Sequence, residues 1–319
     1  METLLQYSNR FFNEHHDFLK NNYPGISVNR IQQELEYYFT FGYESFDHFL
    51  NSIYLEDYYN PVTIFFKKLE QGIPFAYISN YRQFYNSDFY INRDVLIPRS
   101  ETELLVEMAI KELKKIITTP LFIKNSNNKD SNNKDSKQIK VIDIGTGSGC
   151  IIVSILENWD NEIHPLLAYA TDISLNAIDI AKRNYYLLNY KINPLNKIQF
   201  DQRDRLTGLD DNEKFHLIVS NPPYIKKNAD MKNVHPQVRL HEPETALYID
   251  DEKYEEWYSV FFEQMYKHLE QDGVFLLEGH ENHIHLLKDL ATSSQVGFKK
   301  CTIVKDLTQT DRFLKLIKQ

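Results

Sequence analysis

Val141-Ile142-Asp143-Ile144-Gly145-Thr146-Gly147-Ser148-Gly149-Cys150 is an apolar run that breaks into three alternating glycines. It reads as a buried strand ending in a tight turn that opens the helix Ile151 to Glu157. Glycines at 145, 147 and 149 let the main chain approach a ligand closely and leave helix-start N–H groups free at the carboxyl edge of a sheet. A ligand carrying a carboxylate fits there. The spacing is G-x-G-x-G, and Cys150 stands where a dinucleotide fingerprint wants its last glycine, which makes NAD or FAD the weaker choice.

Outward from this turn, strand and helix patterns alternate to the C-terminus. Strands are expected at Lys140 to Ile144, Leu166 to Thr171, Lys197 to Phe200, Phe215 to Val219 and Val274 to Leu277, with helices starting near Gly149, Ser174, Glu252 and Glu281. Repeated β-α units predict an α/β fold, a doubly wound and mostly parallel sheet with helices on both faces. Two further runs, about Lys299 to Val304 and Phe313 to Ile317, lie too close together for a crossover helix and predict an antiparallel hairpin at the sheet's C-terminal edge.

Two of these strands end in residues suited to a ligand. Asp172, 27 positions after Gly145, offers a carboxylate for both hydroxyls of a ribose, and Asp204 is placed to accept from an adenine amino group. Asp172 could equally cap the helix near Ser174. The strand Phe215 to Val219 runs into Ser220-Asn221-Pro222-Pro223-Tyr224, where two prolines fix φ and permit neither strand nor helix. In this rigid elbow the Asn221 side-chain carbonyl and the Pro222 main-chain carbonyl are expected as two acceptors beside Tyr224, an arrangement suited to a planar NH2 group.

Upstream, apolar residues recur every three or four positions from Met1 to about Gly72, with breaks at Pro24-Gly25, Gly42 and Asn60-Pro61, which predicts a small all-helical domain over 1–73. A shorter period in Phe75 to Ile78, Arg82 to Tyr85 and Phe89 to Ile91 predicts a β-hairpin connector over 74–99. The catalytic domain is then 100–319. Ser100 and Glu103 stand at capping-box spacing ahead of a helix from Leu104 to Ile117. Lys124 to Lys137 contains no apolar residue and reads as a disordered surface insertion.

With 319 residues, 42% hydrophobic and 25% charged, the chain can bury a sizeable core. A formal charge of −9 disfavours a protein that binds by neutralising a phosphate backbone, so nucleic acid is an unlikely partner. Cys150 and Cys301 form neither a disulfide framework nor a thiolate metal site, and a reducing cytoplasm fits best. Neither an export signal nor an apolar run of membrane-spanning length is present. His280, His283 and His285 do not share one helical face, and no metal is expected.

These stretches carry a resemblance. Gly72 to Ile78, Ile97-Pro98-Arg99-Ser100-Glu101-Thr102-Glu103-Leu104-Leu105-Val106-Glu107, Asp143 to Gly149, Asn221 to Tyr224, Glu242-Pro243 with Ala246-Leu247, and Lys305-Asp306 with Asp311-Arg312 resemble the protein-(glutamine-N5) methyltransferases that modify bacterial release factors, class I S-adenosylmethionine-dependent enzymes. The resemblance spans nearly the whole chain after residue 70. Asn-Pro-Pro-Tyr alone is shared with adenine-N6 methyltransferases, and the P-R-x-x-T-E-x-L-V-E stretch is what makes the match specific.

By position, the resemblance implies that Gly145, Thr146, Gly147, Ser148, Gly149 and Asp172 bind S-adenosylmethionine, with Asp204, Arg205 and Asn221 beside it. It implies that Asn221, Pro222, Pro223 and Tyr224 hold the substrate, with Asn221, Pro222 and Tyr224 catalytic, and that the partner is a class-1 release factor whose Gly-Gly-Gln loop supplies the glutamine. Position 205 is Arg where relatives often carry an aromatic ring. The rivals are an adenine-N6 methyltransferase, which would want an electropositive surface, and an inactive cofactor-binding module, which would not need all of Gly145, Gly147, Gly149, Asp172 and Asn221.

Overall fold

Central strands of a parallel sheet read as unbroken apolar runs because helices cover both of their faces. The computed structural model describes residues 2–39, 46–54, 57, 60–126 and 138–319. In chain order the elements are β1 Glu2–Thr3, α1 Leu4–Glu14, α2 His16–Asn22, α3 Val28–Phe39, α4 Phe46–Leu50, β2 Ile53–Tyr54, α5 Pro61–Glu70, α6 Phe75–Ser79, β3 Tyr81–Phe84, β4 Ser87–Tyr90, α7 Glu103–Ile116 and α8 Pro120–Ser126. Then follow β5 Ile139–Ile144, α9 Cys150–Glu157, β6 Leu166–Asp172, α10 Leu175–Leu188, β7 Lys197–Gln202, β8 Phe215–Ser220, β9 Ile225–Lys226, α11 Pro236–His241, α12 Glu244–Leu247 and β10 Tyr248–Ile249. The chain ends with α13 Tyr254–His268, β11 Leu269–Glu278, α14 Ile284–Thr292, β12 Lys300–Lys305 and β13 Asp311–Ile317.

Seven strands form one sheet in the order β12-β13-β11-β8-β5-β6-β7. The pairs from β11 through β7 are parallel, and β13 runs antiparallel to both β11 and β12. This is the doubly wound sheet with its antiparallel edge that the strand spacing predicts. β5 lies between β6 and β8, so the winding reverses beside it and leaves a crevice at the carboxyl ends of β5 and β8.

Alternate residues of these strands feed two cores, as the two-residue period of a strand requires. Val141, Leu217 and Val219 join a cluster with Leu105 and Val106 of α7 and Ile152 of α9. Ile142, Ile144 and Ile218 join Tyr258 and Phe261 of α13 and Leu287 of α14 on the other face. The edge strand β7 is mostly exposed and correspondingly polar.

The chain divides into two compact units, one comprising Met1–Tyr81, Ile91–Arg93 and Val234–Glu242, the other Arg82–Tyr90, Asp94–Asn233 and Pro243–Gln319. The first is built on Leu4, Phe11, Leu19, Ile31, Leu35, Phe65, Phe66 and Leu69. It is not purely helical, since β1 and β2 pair antiparallel. Within this unit Gln237 Nε2 donates to the Gly72 carbonyl at 2.9 Å, tying residues near 236 to the end of the first helices.

Three expectations need correction or delimiting. Phe75 to Ile78 form a helical turn, not a strand: Tyr77 and Ile78 are buried together, and Asn80 ends the turn in the left-handed region, so the hairpin is β3–β4 alone. The capping box at Ser100 is absent. Thr102 is the N-cap without a side-chain capping bond, and Glu103 instead accepts the Tyr85 N–H at 3.1 Å. Of the expected insertion over 124–137, residues 124–126 instead complete α8, and 127–137 lies outside the described residues, as does the break at Gly42. Among the described residues no helix is long and apolar enough to cross a membrane.

Candidate active site

The glycine turn after β5 owes its shape to backbone freedom. Gly145, Gly147 and Gly149 have φ of +71°, +54° and +79°, which residues with a Cβ rarely adopt. A Cβ on Gly145 or Gly147 would meet nothing within 4 Å, whereas one on Gly149 would sit 3.1 Å from Ala181 Cβ. The first two glycines therefore face open space, and the third lets α9 pack closely on α10. Beneath the turn, Asp143 is fully buried and accepts the Thr146 hydroxyl at 2.7 Å. Burial pushes its carboxyl up to about 7 against that hydrogen bond.

Asp172 ends β6 and holds this turn in place. Its Oδ2 accepts the Gly147 N–H and its Oδ1 the Ser174 N–H, both at 2.9 Å. Burial raises its carboxyl, and these N–H groups oppose the rise. Each oxygen keeps lone-pair capacity for another donor. The cap of α10 is Ser174, whose hydroxyl accepts from Ala177 N.

The elbow after β8 is fixed from outside its own sequence. Ser220 Oγ donates to the Ile144 carbonyl at 2.7 Å, locking the ends of β8 and β5 together. Two tyrosines of α13 hold the prolines: Tyr258 donates to the Pro223 carbonyl at 3.0 Å and Tyr254 to the Tyr224 carbonyl at 3.2 Å. Just beyond, β9 pairs with β10 and returns the chain to the cleft. Asn221 Nδ2 donates to Thr102 Oγ1 at 3.1 Å, across 119 positions of sequence.

Both strand ends open onto a single cleft of about 390 Å³. Gly145, Thr146, Gly147, Ser148, Asp172, Asp204, Arg205, Asn221, Pro222 and Pro223 all line it. Gly149 and Tyr224 do not: the former packs on Ala181, and the latter turns its ring toward His280, 6.0 Å away. Burial is the main cause that raises the Tyr224 hydroxyl well above its ordinary value. Asp204 is bound by its neighbour, with Arg205 Nη2 at 2.9 Å from Oδ2 and Nε at 3.0 Å from Oδ1.

Several cleft residues were given no role by the sequence. Trp257 belongs to an apolar stripe of α13 that reads as core, yet it lines the cleft, and the Arg205 guanidinium lies 5.1 Å from its ring centroid. At position 205, where relatives often carry an aromatic ring, a guanidinium is thus paired with an indole. Arg99, Thr102, Pro243 and Ala246 also line the cleft. All four lie in stretches that carried the family resemblance, which was the available signal, although it gave them no role.

The three nearby histidines serve separate contacts. His283 Nε2 meets Asp230 at 2.7 Å, His285 Nε2 meets Asp311 at 3.2 Å, and His280 Nδ1 accepts the Asn282 N–H at 3.1 Å.

Residues 118–243 match the family described as Methyltransferase small domain. The chain is 33% identical over 250 residues to the release factor glutamine methyltransferase of Flavobacterium psychrophilum, covering 78% of this chain and 77% of that one. It is 30% identical over 246 residues to the protein of the same name from Leptospira interrogans, with 76% and 73% covered. A bifunctional methyltransferase of Rickettsia prowazekii is 34% identical over 220 residues, 68% of this chain but only 40% of that longer protein. Among solved structures, the hMettl16 catalytic domain in complex with the MAT2A 3'UTR hairpin 1 is similar with a TM-score of 0.50 at 16% identity, covering 92% of each chain, and shows the shared fold.

Proposed function

The chain belongs to the release factor glutamine methyltransferase family, and from that premise we propose that it transfers a methyl group from S-adenosylmethionine to the side-chain amide nitrogen of the Gly-Gly-Gln glutamine in a class-1 release factor. One observation carries the reading: the glycine turn and the Asn221 elbow open onto the same cleft. The open space above Gly145 and Gly147 and the spare lone pairs on Asp172 fit the cofactor's close approach and its ribose hydroxyls. Arg205 and Trp257 supply flat faces for its adenine. When bound, the cofactor supplies an electrophilic methyl on a sulfonium.

The rest of the work falls to this chain's residues. An amide nitrogen is a weak nucleophile because its lone pair is delocalised into the carbonyl. Asn221 Oδ1 and the Pro222 carbonyl accept the two amide hydrogens, aim the nitrogen at the methyl, and stabilise the positive charge that develops on it. The tyrosine bonds from α13 hold the backbone of Pro223 and Tyr224, which keeps the elbow from rotating. A proton leaves the alkylated nitrogen to water. The helical N-terminal domain is proposed to recognise the protein substrate, and a cytoplasmic location follows from that substrate.

Three acceptors test the proposal: a release factor, the same factor with Gln→Ala in its Gly-Gly-Gln loop, and DNA. A mass increase of one methyl on the first alone is expected. Methylation of DNA, or undiminished labelling of the Gln→Ala factor, would assign the elbow to a different NH2 group.

A further inference from the structure

Thr102 stands in the stretch that made the resemblance specific, and the capping role expected of that stretch is absent. A threonine 2% exposed at a helix start without a capping bond must satisfy its hydroxyl elsewhere. One partner is Asn221, whose Nδ2–H the Thr102 oxygen accepts at 3.1 Å. Glu278, 1% exposed, stands at the end of β11, directly beyond the Leu277–Ser220 pairing of the sheet. Burial pushes the Glu278 carboxyl up to about 7, and a hydrogen bond from Thr102 works against that push. Its Oε2 has no hydrogen-bond partner among the described residues.

A hydroxyl has one hydrogen. Directed at Glu278 once that carboxyl is ionised, above about pH 7, it leaves only lone pairs toward Asn221, and a lone pair selects the NH2 end of that side chain. An asparagine amide is nearly isosteric when flipped. In the wrong orientation Asn221 would turn its NH2 to the cleft, donor against the donor of the incoming substrate.

We propose that Thr102, backed by Glu278, is a positioning residue that fixes the amide orientation of Asn221 so that its Oδ1 faces the substrate NH2. The proposal rests on reading Asn221 as an acceptor for that group. It gives the P-R-x-x-T-E stretch a role in chemistry carried out at a site 119 positions away.

The test uses the full chain, a release factor and S-adenosylmethionine at pH 8, where Glu278 is ionised. Thr102→Val replaces the hydroxyl by a methyl of similar size. It should lower kcat about ten- to hundredfold, an effect on the scale of losing an electrostatic contact to the reacting group, while cofactor Kd stays within about twofold. Thr102→Ser restores the hydroxyl and should recover most of the lost rate. Glu278→Gln can donate to Thr102 and so permit the flipped amide, and it should lower kcat about tenfold.

A structural role is separated by a double-mutant cycle. In an Asn221→Ala background Thr102→Val should cost less than about twofold further, because the amide it orients is gone. Equal losses in both backgrounds, or an unchanged kcat in Thr102→Val beside an inactive Asn221→Ala, would overturn the positioning role and leave the elbow reading intact. Wild-type transfer by Asn221→Ala would instead overturn the elbow reading and the positioning role with it. Should Thr102→Val fail to fold, Thr102→Ser and Glu278→Gln carry the same comparison, and unchanged kcat in Glu278→Gln would overturn the backing role.

Discussion

The two walls of the cleft are built on opposite principles. The Gly145–Gly149 turn is shaped by missing side chains: its chain path needs left-handed φ values, and open space lies above two of its glycines. The Asn221–Tyr224 elbow is shaped by prolines, by side chains that reach it from the N-cap of α7 and from α13, namely Thr102, Tyr254 and Tyr258, and by the Ser220 hydroxyl that ties it to the Ile144 carbonyl at the end of β5. A turn made by backbone freedom can close around a ligand, whereas an elbow pinned from several sides can aim one. On the proposed function the difference separates binding from aiming, and substitutions on the two walls should fail differently.

The largest effect should fall on the aiming wall. Asn221→Ala removes the acceptor proposed to act as charge develops, and kcat should drop about 100- to 1000-fold with cofactor affinity nearly unchanged. Single-turnover transfer set beside calorimetry checks this, and a parallel loss of affinity would break the comparison.

Next comes a pH effect in which both walls share. Asp143 lies under the turn and Glu278 behind the elbow, and burial pushes each carboxyl up to about 7. A carboxyl whose folded pKa is raised binds its proton more tightly in the folded state, so its stabilising contribution is complete below the ordinary carboxylate range. It is lost as pH rises through 7. Unfolding of the cofactor-free protein should therefore require less denaturant at pH 8 than at pH 5, by on the order of a few kcal/mol. Asp143→Asn should flatten part of that slope, and an unaltered slope would remove Asp143 as a source.

On the binding wall, Asp172→Ala should weaken S-adenosylmethionine by about 1.5 to 3 kcal/mol, the scale of hydrogen bonds to a charged group, and leave kcat at saturation far less affected. Calorimetry with both proteins decides it, and equal affinities would take Asp172 out of the site.

The glycines sharpen the contrast within the turn itself. Gly145→Ala adds a Cβ in open space and should cost about 1 kcal/mol of stability from its φ alone. Gly149→Ala adds the same strain plus a Cβ pressed 3.2 Å from Ala181 Cα, and should cost about 1 kcal/mol more, with urea unfolding as the measure. The smallest change is Tyr258→Phe, which removes the donor to the Pro223 carbonyl and should lower stability by about 1 kcal/mol and kcat only a few-fold.

Much of this is legible in the sequence. Strand ends, glycine turn and elbow follow from local patterns, since a buried strand must be apolar, a left-handed turn favours glycine, and Pro-Pro can extend neither a strand nor a helix. Phe75 to Ile78 misread as strand because four apolar residues suit either a short strand or one helical turn, and only burial of Tyr77 with Ile78 decides. Ser100 and Glu103 misread as a cap because their spacing is right, while Glu103 found a better-placed donor in the Tyr85 N–H.

What the sequence by itself determined was the doubly wound sheet and the two breaks at its carboxyl edge, because periodicity, glycine and proline act within a few residues of themselves. Tertiary structure alone decided that both breaks line one cleft, that Trp257 turns from a core stripe to face it, and that Thr102 meets Asn221. Those pairings join positions up to 119 apart. They depend on strand order and on how α7 and α13 lie across the sheet, which no local pattern encodes.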